Sequence, residues 1–290
     1  MEKIGFIGLG IMGRPMAKHL LKAGYPVFIL SSSAAAAELK EAGATLSETP
    51  AAMAKATDVI ITMLPDSPEV ESMVMGEGNL LQAMKPGTLF IDMSTISPAT
   101  SITLYNKFSG RSIEALDAPV SGGQAGAEGA TLSIMVGGNE PAFQRALPVF
   151  EKMGKNIIHI GKPGAGQTAK ACNQIIVGMT IQAVAEALTL AKKSGVDVAK
   201  VRSALLGGFA QSKILDLHGQ RIIDRNFKPG FKIKLHRKDM RIALQTGQDL
   251  SVPLPGSAVV ASQMDAMLAE GKGDLDHSSL ALYLESVAGL

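Results

Sequence analysis

The sequence predicts an α/β doubly wound sheet domain followed by an all-α domain, the two joined by a long helix. Three observations carry this. Short apolar runs alternate with helical patterns as far as residue 160; a glycine-spaced turn directly follows the first run; and strand patterns stop after a turn cluster at Gly161, Lys162, Pro163 and Gly164. At 290 residues the chain exceeds the usual single domain, and a hydrophobic content of 46% supplies core for two. The boundary is placed between 162 and 163, giving a sheet domain over 1–162 and a helical domain over 163–290.

Strands are expected at 4–8, 27–30, 59–63, 89–93, 115–120, 132–136 and 157–160, with amphipathic helices at 16–23, 38–43, 70–75 and 141–153. A long helix follows at 168–194. Ile175, Ile176, Met179, Val184, Ala187 and Leu190 leave it little polar face, so it should be buried nearly all round. One chain of this size would struggle to cover it, and a partner subunit is expected, as a homodimer or homotetramer. Further helices are expected at 197–206, 212–224, 235–250, 256–270 and 277–288, separated by Gly and Pro breaks.

Bulk composition excludes several classes of partner. A net charge of +2 favours neither nucleic acid nor an acidic membrane surface. The single cysteine, Cys172, rules out an internal disulfide, fits a reducing compartment and reads as a small buried helix residue. The start of the chain lacks the features of a signal peptide, and no apolar run approaches the ~20 residues of a membrane span. A soluble cytoplasmic protein is expected. The five histidines show no metal-ligand spacing, so no metal is expected.

Gly8, Gly10 and Gly13 stand between an apolar strand and a helix, the context in which such spacing binds a dinucleotide. The first glycine makes the turn, the second admits the pyrophosphate, and the third lets the helix pack on the strand. Leu9, Ile11 and Met12 fill the loop between them. At the end of the second strand stand Ser31, Ser32 and Ser33, with no acid to bind a ribose and repel a 2′-phosphate. NADP is therefore admitted at least as well as NAD, although a serine cap on the following helix explains the same residues. Met63, Leu64 and Pro65 end the third strand and Thr95 follows the fourth, where open α/β sheets bind ligands. Ser121, Gly122 and Gly123 form either a carboxylate nest or a plain turn.

In the second half, Gly164 and Gly166 precede Lys170 on the long helix and permit close backbone approach to a ligand. Asn173 and Gln174 project from the same face one turn later. An ammonium and two amides together suit a carbonyl oxygen that must receive a proton. Lys234, Lys238 and Arg241 share a helix face, either solvated or open to an anion.

These residues identify a resemblance over essentially the whole chain. GFIGLGIMGRPMA at 5–17, DAPVSGG at 117–123, GAGQTAKACNQ at 164–174 and FKPGFKIKLHRKD at 227–239 resemble the β-hydroxyacid dehydrogenase family, which includes the 3-hydroxyisobutyrate dehydrogenases. NFKPGFKIKLH and DHSSLA look most like the branch that reduces tartronate semialdehyde. The resemblance implies a Rossmann domain binding NAD(P), a helical domain for substrate and dimerisation, and reduction of a small carboxylated aldehyde to a hydroxy acid such as glycerate. Oxidation of 3-hydroxyisobutyrate and reduction of glyoxylate or succinic semialdehyde are the alternatives, and a nucleotide-binding protein without turnover is the contrasting class. It further implies that Lys170 is the general acid/base. Ser121, Gly122 and Gly123 would hold the substrate carboxylate with Asn173 or Gln174, Thr95 and Lys238 would contact the cofactor, and Phe231 and Asp239 would close the site. The chain departs from the family pattern at His19, where relatives often carry asparagine, at Ser31 in place of an acid, and at Gln174 in place of asparagine.

Overall fold

Strand β1 (Ile4–Ile7) is buried at every position, as a strand covered on both faces must be. It leads into α1 (Gly13–Lys22), β2 (Val27–Leu30), α2 (Ala36–Glu41), β3 (Thr45–Ser47), α3 (Pro50–Ala56) and β4 (Val59–Thr62). Then come α4 (Ser67–Met75), α5 (Leu80–Ala83), β5 (Leu89–Asp92), α6 (Pro98–Ser109), β6 (Glu114–Asp117), β7 (Val120–Ser121) and α7 (Gly123–Glu128). The sheet region ends with β8 (Leu132–Gly138), α8 (Glu140–Phe150) and β9 (Gly154–Gly161). The computed structural model describes residues 1–290 and divides into two compact units, Met1–Lys170 and Ala171–Leu290.

The first unit holds one nine-stranded sheet in the order β3-β2-β1-β4-β5-β6-β8-β7, with β9 on β8. Pairing is parallel from β3 to β6, and β8 runs antiparallel to β6 and β7. Alternation along the strands feeds two cores. Ile4, Phe6, Val59, Ile61, Leu89 and Ile91 pack into one with Met16 and Leu20, while Ile7, Ile60 and Phe90 pack into the other with Met53, Val70 and Phe108. That division is the doubly wound architecture the pattern predicts.

Three details differ from expectation. The 115–120 run divides into β6 and β7 around Ala118 and Pro119, because proline has no N–H to continue a ladder. β3 was not expected: it has three residues, two of them exposed, too few to show alternation. Helix α6 also escapes the apolar pattern, yet Ser97 caps it by accepting from Thr100 N at 3.0 Å, and Pro98 opens it.

The second unit is helical, with only an isolated bridge between Lys232 and Asp276. Helix α9 (Ala165–Lys193) starts in the first unit and continues into this one. After it come α10 (Val198–Leu206), α11 (Lys213–Ile223), α12 (Ile233–Asp249), α13 (Pro255–Ala269), a 3₁₀ turn at His277–Ser279 and α14 (Leu280–Val287). Ile181, Ile233, Met240, Val260, Met264 and Leu280 form one core of this unit, and Val184, Leu188, Leu215 and Ile222 form another.

Helix α9 corrects two readings. Within one chain its Ile176 and Leu190 are 67% and 70% exposed, and Met179 is exposed as well, so a single chain leaves part of its apolar surface uncovered. Cys172 is exposed rather than buried, since it lies on a different face from Ala171 and Gln174. By length and composition the helix is also apolar enough to cross a membrane, where no such run was expected, although half of its most apolar window is buried inside the chain.

Candidate active site

The glycines of the first loop do three different things. Gly8 has φ +96°, and a Cβ there would lie 2.2 Å from the Met63 carbonyl oxygen. A Cβ on Gly13 would lie 1.9 Å from the Gly8 carbonyl oxygen, so only glycine lets α1 pack this closely on the loop. At Gly10 nothing lies within 4 Å. Two glycines are thus required by the fold, and the third leaves open space beside exposed backbone, which fits the passage of a pyrophosphate. Leu9 and Met12 are half-buried against the core, while Ile11 is exposed.

Around this loop the carboxyl ends of the parallel strands carry the other expected cofactor residues. Ser31 and Ser32 are exposed after β2, and only Ser33 turns back to the chain, accepting from Ala35 N at 3.3 Å. Met63 and Leu64 are half-buried after β4, Pro65 is exposed, and Leu64 N donates to Ser94 Oγ at 2.8 Å. Thr95 is half-buried after β5. Arg14 reaches Glu38 on α2 at 3.2 Å, and Lys18 joins the same carboxylate, whose pKa is held down mainly by the Lys18 contact.

Lys170 is placed by the anchoring of α9. Asp117, at the end of β6, accepts from Gly164 N at 2.7 Å and from Gln167 N at 2.8 Å, capping the helix. Gln167 donates to Ser94 O at 2.8 Å and accepts from Ile96 N at 3.2 Å. The two glycines expected to face a ligand instead face protein. A Cβ on Gly166 would lie 2.4 Å from Met135 O, and one on Gly164 would lie 2.9 Å from Ile102. They allow the helix to start against the sheet and α6 rather than to face a ligand.

From this anchored start Lys170, only 6% exposed, donates to Val120 O at 2.7 Å. The next three residues are Ser121, Gly122 and Gly123. Both glycines have positive φ, and nothing lies within 4 Å of a Cβ built on Gly123. The first unit alone therefore sets the ammonium of Lys170 beside an open turn. His19 of α1 meets the far end of the helix that follows this turn: its Nε2 lies 3.0 Å from Ala127 O and 2.9 Å from Glu128 O, at the end of α7.

Two buried carboxylates behind this arrangement were not recognised as such. Asp92, paired in register with Asp117, accepts from Thr62 Oγ1 at 2.8 Å and from Ser94 N at 3.1 Å. Burial pushes its pKa up to about 6 against those hydrogen bonds. Burial also raises Asp117, opposed by the amides of Gly164 and Gln167. The available signal was an acid closing an otherwise apolar strand.

In the second unit Asn173 Nδ2 donates to Gln174 Oε1 at 2.7 Å, and Gln174 Nε2 donates to Asp239 Oδ2 at 2.5 Å. Lys238 Nζ lies 2.8 Å from Asp239 Oδ1. Asn173, Gln174, Lys238 and Asp239 thus form one network. Lys234 does not join it: with Lys232 it pairs to Asp274, at 2.9 and 2.8 Å. Phe231 is half-buried, its ring 5.7 Å from that of His236 and 5.5 Å from that of His277.

A doubly wound sheet with a glycine turn open for a pyrophosphate, and a buried lysine beside a second open turn, defines a nicotinamide-dinucleotide oxidoreductase. Residues 3–161 match the family described as the NAD binding domain of 6-phosphogluconate dehydrogenase, and residues 164–284 match the NAD-binding domain of NADP-dependent 3-hydroxyisobutyrate dehydrogenase. The chain belongs to the β-hydroxyacid dehydrogenase family. It is 47% identical to 2-hydroxy-3-oxopropionate reductase of Escherichia coli over 99% of this chain and 98% of that one. It is 36% identical to 3-hydroxyisobutyrate dehydrogenase of Pseudomonas aeruginosa, over 97% and 96% of the two chains. The structure of Mycobacterium tuberculosis 3-hydroxyisobutyrate dehydrogenase with L-serine superposes with a TM-score of 0.90 at 34% identity, covering 98% of this chain and 99% of that one.

Proposed function

We propose that this protein reduces a small carboxylated aldehyde, with tartronate semialdehyde as the favoured substrate, to the corresponding hydroxy acid. A dihydronicotinamide held by the glycine loop would supply a hydride to the carbonyl carbon. Lys170 supplies the proton to the carbonyl oxygen, so the aldehyde gains a hydride (two electrons with one hydrogen nucleus) and one proton, and becomes the hydroxy acid. The observation that carries this reading is the buried Lys170 ammonium held 2.7 Å from Val120 O, immediately before the open turn at Ser121, Gly122 and Gly123. A substrate carboxylate bound by that turn brings its neighbouring carbonyl to Lys170, with Asn173 and Gln174 three and four residues further along the same helix. The identity to a 2-hydroxy-3-oxopropionate reductase over nearly the whole chain supports the substrate.

On the cofactor side, Gly8, Gly10 and Gly13 with Leu9, Ile11 and Met12 receive the pyrophosphate. Ser31 and Ser32 meet the ribose, Met63, Leu64 and Pro65 line its path, Thr95 and Lys238 contact the nicotinamide end, and Phe231 and Asp239 close the site. The exposed hydroxyls of Ser31 and Ser32, with no acid beside them, support NADP at least as well as NAD. The boundary between the NAD(P)-binding domain and the helical substrate and dimerisation domain falls at 162/163, with Ser121, Gly122 and Gly123 assigned to substrate from before it and Phe231, Lys238 and Asp239 to cofactor from after it. The exposed Ile176, Met179 and Leu190 on α9 support a homodimer or homotetramer, and the cytoplasm is the compartment in which the reaction occurs.

The test is consumption of NADH and NADPH with tartronate semialdehyde, glyoxylate, succinic semialdehyde and methylmalonate semialdehyde. Tartronate semialdehyde should give the highest kcat/KM. Lys170→Ala should lower turnover by about 10²-fold or more while NADH still binds. Near-normal turnover in that variant would refute the role of Lys170.

A further inference from the structure

Gln167 is 1% exposed, and its side-chain amide bonds to the backbone of a distant segment. Nε2 donates to Ser94 O at 2.8 Å, and Oε1 accepts from Ile96 N at 3.2 Å. The two bonds bracket Thr95. In a parallel ladder a residue donates to the carbonyl before its partner and accepts from the amide after it. The Gln167 side chain therefore does for Thr95 what the peptide of a neighbouring parallel strand would do, although β5 has already ended at Asp92. The backbone also fixes which way the amide faces, since only its NH₂ can meet a carbonyl and only its oxygen can meet an N–H.

Gln167 is held from its own main chain as well. Its N–H donates to Asp117 Oδ2 at 2.8 Å, and Asp117 Oδ1 accepts from Gly164 N at 2.7 Å, so the start of α9 is fixed to the end of β6. Ser94, at the other end of the link, accepts from Leu64 N through its hydroxyl at 2.8 Å, and its own N–H meets Asp92 Oδ1 at 3.1 Å. The exits of β4, β5 and β6 are thus joined through Ser94 and Gln167. Lys170 follows three residues later, on the same side of the helix and ~4.5 Å further along its axis. Its ammonium donates to Val120 O at 2.7 Å. Every group in this chain of contacts belongs to the first unit.

We propose that Gln167 is a positioning residue: it fixes the Thr95 backbone relative to Lys170, so that hydride and proton reach the two ends of one carbonyl group. This rests on the reading of Lys170 as the proton donor and of Thr95 as a contact of the nicotinamide. The carbon that takes the hydride and the oxygen that takes the proton are only about 1.2 Å apart. The tolerance is correspondingly narrow, since a displacement of about 1 Å costs on the order of 10²-fold in rate. Gln167 acts through the two segments it joins.

Any buried segment needs its amides and carbonyls paired, and Gln167 meets that need for Ser94 and Ile96. Its place on the helix adds a second consequence. One turn separates it from Lys170, so a shift of α9 is transmitted to Thr95, and a shift of Thr95 to the lysine.

The test compares the full-length wild type with Gln167→Met, which keeps the side-chain volume and loses both bonds, and Gln167→Asn, whose amide is one methylene too short to reach both groups. Reduction of tartronate semialdehyde, or of whichever aldehyde in the screen gives the highest kcat/KM, is followed in a single turnover by bound NADH. The NADH dissociation constant and thermal melting are measured alongside. Hydride transfer should fall about tenfold or more in both variants. The NADH dissociation constant should stay within about threefold of wild type, because the glycine loop is untouched. Residues that act as a unit are not additive, so in the Lys170→Ala background Gln167→Met should cost less than about threefold further. Undiminished hydride transfer in a folded variant, a loss carried by NADH affinity alone, or the same tenfold loss in both backgrounds would each overturn the proposal. Failure of both variants to fold would also overturn it, by assigning Gln167 to the fold. A wild type that reduces none of the aldehydes removes the reductase reading and this proposal with it. An active wild type with unimpaired variants removes this proposal alone.

Discussion

In the sheet unit the loop from Gly8 to Gly13 shapes its site with backbone alone, whereas the helical unit builds the surroundings of Phe231 from buried side chains. The loop needs no charge: two of its glycines remove Cβ atoms that would meet carbonyl oxygens at 2.2 and 1.9 Å, and the third leaves empty space. The segment at Phe231 depends on one fully buried carboxylate, Asp276, and on the imidazoles of His236 and His277. The difference teaches where each site is vulnerable. A backbone site fails by steric overlap at a single atom, and a buried polar site fails when a donor loses its acceptor.

The sharpest way to break that contrast is Asp276→Ala. It leaves the amides of Gly230, Phe231 and Ser278 and the Ser278 hydroxyl without their acceptor, and urea unfolding should show a loss of about 3–5 kcal/mol. A variant as stable as the wild type would mean that the helical unit does not rest on this carboxylate.

Asp92 brings the logic of buried charge into the sheet unit. Its folded-state pKa is raised from 3.8 to about 6, so between those values the native state holds a proton that the unfolded chain has released. Its contribution to stability is therefore full below about pH 4 and is lost as pH rises through about 6. The difference amounts to at most about 3 kcal/mol. Asp92→Asn cannot ionise and should gain stability relative to wild type on going from pH 4 to pH 7.5, as read by urea titrations at each pH. A constant difference between the two proteins would remove Asp92 from the pH dependence.

Gly13→Ala and Gly10→Ala separate the two uses of glycine within one loop. Gly13→Ala should destabilise the cofactor-free protein by about 1–3 kcal/mol through overlap with Gly8 O. Gly10→Ala should leave the melting temperature unchanged and weaken NADH binding about tenfold, or ~1.4 kcal/mol. Equal losses of stability in both would show that Gly10 also serves the fold. The smallest effect is expected at Ser31, exposed after β2. Ser31→Asp should shift the NADPH/NADH ratio of kcat/KM about tenfold toward NADH, by repulsion of the 2′-phosphate. An unchanged ratio would place cofactor discrimination elsewhere.

The two halves of the molecule differ in how far they can be read from sequence. Strands such as β1 and β4 announce themselves, because a strand buried on both faces must be apolar throughout. The same holds for the glycine loop, whose significance lies in residue type and local spacing. Gly164 and Gly166 show the limit of that reasoning. Close backbone approach was legible in them, but the partners were not: the sheet for Gly166, through Met135 O and Asp117, and α6 for Gly164, through Ile102 and Pro98 O.

The sequence by itself determined the alternation of strands and helices up to β9, the change from sheet to helices after it, and the family to which the chain belongs. Each of these follows from a periodicity or from side-chain chemistry within a short window. Only the tertiary structure decided that Asp117 caps the helix of Lys170 across 47 residues of chain. The same is true of His19, which reaches the carbonyls at the end of α7, and of His277, which meets His236 across 41 residues and His218 across 59. Such contacts have no period along the chain. They arise when packing of the apolar faces brings distant polar groups within a few ångströms, and once buried those groups must find one another as partners.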